Sequence, residues 1–562
     1  MSSLLLSLVL SAAAPAELVS GYIDKYFETF PSRSTEAGRH DRDKELEDLT
    51  PERLRNWVDF NRKTLERLDA ARGLSKDDRL DAELLRGQVE WELHQLDTRR
   101  RVARDPLFWT NIAGNATVFL LVRDDRPFPE RLAAARARVE QLPRLCRQAE
   151  SALSATPPGE IAPDFARIAS GQARASARFY REGFAGLFSG AEKAASAREA
   201  AEAAAALEKL AAYLDGLATR ATGSPCLGAD YREALRIATG QTDPDAMLAR
   251  AVADLEAKKK ETAAYGRSVW KEIFPAAEPP ASDREVIARL FARISTDRAK
   301  STEELVEDYR KLVSDLNHFL HAREVVTLPD RLTLYTDRSP GYFVGQSVGG
   351  VYPAGPYSPD ARTLWFLPTP PDSATPAERD GFFRDFNHHF NVMITPHEIL
   401  PGHYLQLKVA AHHPRKVRAL FADGVYVEGW GTFSERLLLD LGWGGPLDRL
   451  AHLKKQMENI ARAIVDVRVH TRAMPREEVL RFVKEEALQD EQFASNMWTR
   501  AITTPTQITT YWLGYRQVTD LFNDYRAARG SAFRLKEFMD AMLADGPLPV
   551  ARYREKLLAP VR

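Results

Sequence analysis

Cysteine is nearly missing from this chain: Cys146 and Cys226 are the only two in 562 residues. Two thiols cannot build a disulfide scaffold. They are expected as buried thiols, with a single disulfide as the alternative in an oxidising compartment. An excess of one charge is missing as well, with 78 basic residues against 79 acidic ones. No global field therefore draws nucleic acid or an anionic membrane surface. Beyond the N-terminus no apolar run approaches the length of a bilayer span, so no stable membrane insertion is expected. The sequence has no Gly-x-Ser-x-Gly elbow and no nucleophilic cysteine context, which removes support for serine and cysteine mechanisms. Gly349-Gly350 is followed by no Lys-Ser or Lys-Thr pair, so it is not a phosphate loop. No fixed-period repeat is present either, which argues against a uniform solenoid.

The N-terminus opens with a short apolar run over residues 4–14, too short to cross a bilayer. Ala14-Pro15-Ala16 then offers the small-x-small pattern of a signal peptidase site. Residues 1–16 are expected to be a signal peptide cleaved after Ala16, the competing reading being an apolar first helix. No cysteine follows the run, so a lipid anchor is not expected. The mature chain would then act in the periplasm or outside the cell.

Helix-forming composition dominates the first half of the chain. Residues 131–154 and 189–221 are rich in Ala, Leu, Glu, Lys and Arg. Ala203, Leu207, Leu210, Leu214 and Leu217 recur in steps of four and three, the spacing of one helix face. Thr242-Asp243-Pro244-Asp245 opens a further helix running to about Trp270 or Phe274. Ser282 and Glu285 stand at capping-box spacing for the next. The texture changes near residue 325, where 325–328, 332–335 and 362–367 read as short strands and 341–355 is dense in Gly, Pro and aromatics. The expected fold is therefore mainly α, with long helices packed pairwise and a small β-sheet near the active-site cleft. Residues 17–325 are expected as a helical scaffold and 326–562 as the metal-site-bearing catalytic region, the two sharing one core if they form a continuous domain.

The informative segment is Thr395-Pro396-His397-Glu398-Ile399-Leu400-Pro401-Gly402-His403. Imidazoles are common zinc ligands, and hydrolytic zinc needs three protein ligands with a fourth position left open. In the H-E-x-x-H pattern the two histidines lie one turn apart on one helix face. Here they are six residues apart, which on an ideal helix turns them by about 600° and points them in different directions. They converge only if the helix breaks between them. Pro401 removes a backbone donor and Gly402 admits unusual backbone angles, so the insertion carries the residues that such a break requires. Downstream, Val427-Glu428-Gly429-Trp430 places a carboxylate that would close the third ligand position. Glu435, two turns further on the same face, is a rival ligand or a partner to one. A His-Glu dipeptide alone carries little weight among 12 histidines. His397, Glu398, His403 and Glu428 together favour a metal.

With these motifs in place, the chain resembles the bacterial family known as domain of unknown function 885, whose members carry H-E-x-x-P-G-H followed by E-G-W. The likeness extends to residues 461–466 with Asp466 and His470, and to Arg500, Pro505, Gln507, Tyr511 and Gly514. It also reaches Phe30-Pro31, Gly38 and Leu49-Thr50-Pro51. The chain departs from the pattern at Tyr404, where a further histidine is usual. That family in turn resembles zinc peptidases of the thimet-oligopeptidase type. The resemblance implies a zincin-like helical fold, one Zn²⁺ ion, a peptide substrate and peptide-bond hydrolysis.

On this reading His397, His403 and Glu428 hold the zinc and Glu398 is the general base. Tyr511 and His470 are candidate donors to the oxyanion, and Arg500 is a candidate partner for a substrate carboxylate. Asp466 is a candidate for orienting a ligand histidine, and His388 or His389 for entering the site. Residues 341–357 are a candidate lining of the cleft. Two alternatives stay open: a zinc amidase acting on cell-wall or other non-standard amides, and a non-catalytic helical binding protein whose metal site is structural or lost.

Overall fold

The fold is that of a computed structural model, which describes residues 15–340, 350–370 and 374–559. The expected leader over residues 1–16 lies almost wholly outside them, and so do residues 341–349 of the glycine-rich segment. Helices account for most of the described chain, as the composition leads one to expect. Gly190–Arg220 forms one long helix that packs along Pro163–Glu182, burying Ala203, Leu207, Leu210, Leu214 and Leu217 on a single face. Pro244–Ser268 begins where the Asp-Pro signal places it, and the Asp243 carboxylate accepts from the amides of Asp245 and Ala246. Ser282 precedes Asp283–Ile294 without a side-chain cap, so the expected capping box does not form there.

Among the described residues three short strands interrupt the helices: β1 (Leu334–Arg338), β2 (Gly350–Tyr352) and β3 (Thr363–Leu367). The order is β1-β3-β2, with β3 parallel to β1 and antiparallel to β2. β3 is buried along its whole length, which fits the apolar run of its last four residues, Leu364 to Leu367. Residues 325–328 are not a strand. Val325 and Val326 are packed into the core, and Thr327 spends its amide on Asp540 instead of a ladder partner.

Two large apolar clusters form the interior, and each draws on residues from both sides of residue 325. The helix Pro446–Arg472 runs between them. Leu450, Met457, Ile460 and Ile464 belong to one cluster, Ala461, Val465 and Val469 to the other. A helix buried on nearly all faces should be apolar all round. This one nevertheless buries Lys455, Glu458, Arg462, Asp466 and His470. Cys146 and Cys226 are free thiols on the second cluster, Cys146 buried within it. Among the described residues no helix is long and apolar enough to cross a membrane.

Candidate metal centre

The helix expected to break between the two motif histidines does break. His388–Glu398 ends just past His397, residues 399–402 turn the chain, and His403–His412 starts a new helix. Gly402 is required by close approach, since a Cβ there would lie 1.9 Å from the carbonyl oxygen of His397. The Trp430 indole donates to the Pro401 carbonyl oxygen at 2.8 Å and ties the turn to the helix Gly424–Asp440, which carries Glu428. The two imidazoles consequently meet edge to face, 4.6 Å between ring centres.

Glu428 completes the cluster. Its Oε2 is 3.5 Å from His397 Nε2 and 3.5 Å from His403 Nε2. Ligand atoms from all three side chains lie within 4.8 Å of one another. A good hydrogen bond between nitrogen and oxygen is shorter than 3.5 Å. Atoms that share a tetrahedral zinc at about 2.0–2.2 Å stand roughly 3.3–3.6 Å apart. Glu428 Oε2 is buried with no hydrogen-bond partner among the described residues. A carboxylate oxygen in that state is costly unless something positive meets it. Two imidazoles and a carboxylate also suit zinc chemically. The residues fit the ion on geometry, on donor type and on this unmet oxygen.

Surrounding side chains fix the three candidate ligands. His397 Nδ1 faces Glu435 Oε1 at 2.8 Å, and the other oxygen of Glu435 meets His452 Nδ1 at 3.0 Å. Glu435 thus spends both oxygens on histidines and stands outside the His397, His403 and Glu428 group. A proton on Nδ1 leaves the Nε2 lone pair facing the cluster. A Cβ on Gly431 would come within 2.9 Å of the His397 ring, so the acid helix can approach only because glycine stands there. The electrostatics agree. Burial opposes charge on His397, but its contacts with Glu428 and Glu435 raise its pKa well above the ordinary value. Burial also opposes ionisation of Glu428, yet His397 and His403 hold its carboxyl well below the usual range. Glu435, buried as well, is held down to about 2 by His397 and His452. An ion entering this cluster displaces a proton, so its binding weakens in acid.

The cluster opens onto a cavity of about 880 Å³. Glu398, Tyr511 and Arg500 line it together with the three candidate ligands. Tyr511 lies nearly parallel to the His397 ring at 6.4 Å, and its hydroxyl accepts from Arg500 at 3.2 Å. Gly350 and Val351 of the glycine-rich segment line the same cavity.

Other candidates lie elsewhere. His470 is fully enclosed away from the cavity: its Nδ1 accepts from the Leu227 amide and its Nε2 meets the Ala501 carbonyl oxygen. With both nitrogens taken by backbone it has nothing to offer an oxyanion. Asp466 accepts from the Tyr231 hydroxyl and the Thr506 amide, and the histidine beside it is His470, not a ligand. His389 faces Asp448 at 2.8 Å, and neither it nor His388 lines the cavity. Missed from the sequence were His452 and three cavity-lining residues of the central helix, Lys455, Glu458 and Arg462. No local signal marks them, because the helix carries polar and charged residues along its whole length.

Comparisons with known proteins agree with the whole-chain fold. The family model described as "Bacterial protein of unknown function (DUF885)" matches residues 31–557. A candidate lipoprotein of unknown function from Shewanella oneidensis superposes with a TM-score of 0.79 at 23% identity, covering 97% of this chain and 100% of its own. A candidate lipoprotein from Colwellia psychrerythraea superposes with a TM-score of 0.80 at 15% identity, covering 97% and 98%. No curated protein matches the chain.

Proposed function

Because the chain belongs to the bacterial DUF885 family of unknown function, we propose its activity from the site: a zinc-dependent peptidase in which Glu398 is the general base. The observation that carries this reading is the buried, unpartnered Glu428 oxygen 3.5 Å from both imidazole nitrogens. Zinc in such a site supplies Lewis acidity toward water and toward a carbonyl oxygen. Glu398, adjacent in sequence to His397 and facing the cavity, takes a proton from the attacking water and returns it to the departing amine. Because the Tyr511 hydroxyl accepts from Arg500, its own proton is free to donate to the substrate carbonyl oxygen. His397 is kept in the productive tautomer by Glu435. The helical fold and the His-Glu-x-x-Pro-Gly-His segment support kinship with thimet-oligopeptidase-type zinc peptidases. The leader-like residues 1–16 and the relatives described as candidate lipoproteins support action outside the cytoplasm.

The test combines metal analysis by mass spectrometry with digestion of a peptide library. One zinc per chain and peptide cleavage are expected. Glu398→Gln should keep the zinc and lower kcat by about 10²–10⁴-fold. Zinc without turnover in the parent protein would make the site structural, and undiminished cleavage by Glu398→Gln would place the base elsewhere.

A further inference from the structure

The wall of the cavity beyond the cluster carries three cations, while the carboxylates Glu398 and Glu428 line the cavity at the cluster itself. Lys455 and Arg462 on the central helix and Arg500 on Glu491–Thr503 all line it, and Glu458 is the carboxylate among them. Glu458 is already taken, with Lys455 Nζ at 3.1 Å and Arg462 NH2 at 2.5 Å. Arg500 makes its hydrogen bonds from one nitrogen to two neutral acceptors, Gln507 Oε1 at 2.7 Å and the Tyr511 hydroxyl at 3.2 Å. No carboxylate forms an ion pair with it among the described residues. Glu428 and Glu458 favour its charge from further off, but neither is within ion-pair distance, and a guanidinium facing a cavity in this way has donors left for a bidentate carboxylate.

The distance from the cluster sets what that carboxylate belongs to. Gln507 bridges the gap alone, its amide nitrogen 3.4 Å from Glu428 Oε1 and its amide oxygen 2.7 Å from the Arg500 guanidinium. Both Arg462 and Arg500 lie over the Tyr511 ring, at 4.6 and 5.5 Å from its centre, and that ring in turn lies beside His397. One amide group with a contact at each end spans the gap, and one amino-acid residue, about 3.6 Å of extended chain, fits in the same way between a carbonyl at the cluster and a carboxylate on Arg500. We propose that Arg500, with Arg462 beside it, receives the free α-carboxylate of a peptide, so that the bond cut is the last one. Hydrolysis there forms a C–O bond to water and breaks the terminal C–N bond. The water's proton goes to the departing amine, and a single amino acid is released. This assignment rests on the peptidase reading and adds to it the substrate class and the exopeptidase register.

The experiment uses the zinc-loaded full chain and three matched peptides: a free acid, its C-terminal amide, and an amide ending in Glu. Cleavage is followed by mass spectrometry. Loss of one residue from the free acid is expected, with kcat/KM about 100-fold above that of the amide. Arg500→Gln, checked for unchanged zinc content and melting temperature, should lower cleavage of the acid and erase the preference. Binding to the Glu398→Gln protein, measured by calorimetry, should show the same ranking without turnover. Equal handling of acid and amide, internal cleavage, or no binding of any peptide would overturn the proposal. Preference for the Glu amide would assign Arg500 to a side-chain carboxylate and overturn the terminal register. Acid-selective binding with no cleavage of any peptide would retain the carboxylate receptor and sink the peptidase reading.

Discussion

The helix Pro446–Arg472 carries buried charge at two places, and the two have opposite characters. Around Lys455, Glu458 and Arg462 the charges pair with one another and face a cavity. Around Asp466 and His470, about two turns further on, every polar atom is closed by Tyr231, Thr506, Leu227 or Ala501. Both stretches place charged residues on a buried helix, which is expensive unless they are paired. Burial alone therefore does not identify chemistry. What distinguishes the two stretches is that the first faces open space beside the metal-type cluster and the second is enclosed by backbone and side chains.

The largest effect that sharpens this contrast is expected at Glu428. Glu428→Gln removes the charge that meets the ion and should reduce zinc affinity more than about 100-fold, read by competition with a chelating dye. Retained affinity would break the contrast, because the unpartnered oxygen would then not be a ligand. Next comes Glu435→Gln, which should cost about 10–100-fold in zinc affinity by freeing the His397 ring. Asp466→Asn should leave zinc affinity unchanged in the same assay.

A smaller effect concerns the stability of the closed stretch against pH. Burial raises the Asp466 pKa to about 7 from 3.8, so the folded state holds a proton that the unfolded chain releases. Stability from this group is full below about pH 4 and falls as pH rises toward 7, by about 4 kcal/mol in total. Burial lowers the His470 pKa to about 4 from 6.5, so here the unfolded chain binds the extra proton. That contribution rises with pH between about 4 and 6.5, opposing the first. The two slopes largely cancel in the native chain. Asp466→Asn should uncover the histidine, so that the melting temperature climbs with pH across that window more steeply than in the parent. A parallel profile would show that the pair does not titrate as its burial implies.

Much of this was legible in the sequence. The long helices followed from composition and from steps of three and four. The break between His397 and His403 followed from Pro401 and Gly402, because six residues of ideal helix cannot bring two imidazoles together. Glu428 was expected beside the two histidines from its place after the motif, and it lies there. Glu435 could be seen as ligand or partner but not decided between, since that depends on how closely the acid helix approaches at Gly431. The role of His452 and the enclosure of His470 depend on which helices meet, and no local pattern encodes that. Residues 325–328 look like a strand because they are β-branched and apolar, yet a contact with Asp540, more than 200 positions away, takes the amide that a ladder would need.

The most direct measurement is a crystal of the zinc-saturated protein with data collected at the zinc absorption edge. The account predicts one strong anomalous peak about 2.0–2.2 Å from His397 Nε2, His403 Nε2 and a Glu428 oxygen. A map with no peak at that position, or with its zinc held by other residues, would contradict it.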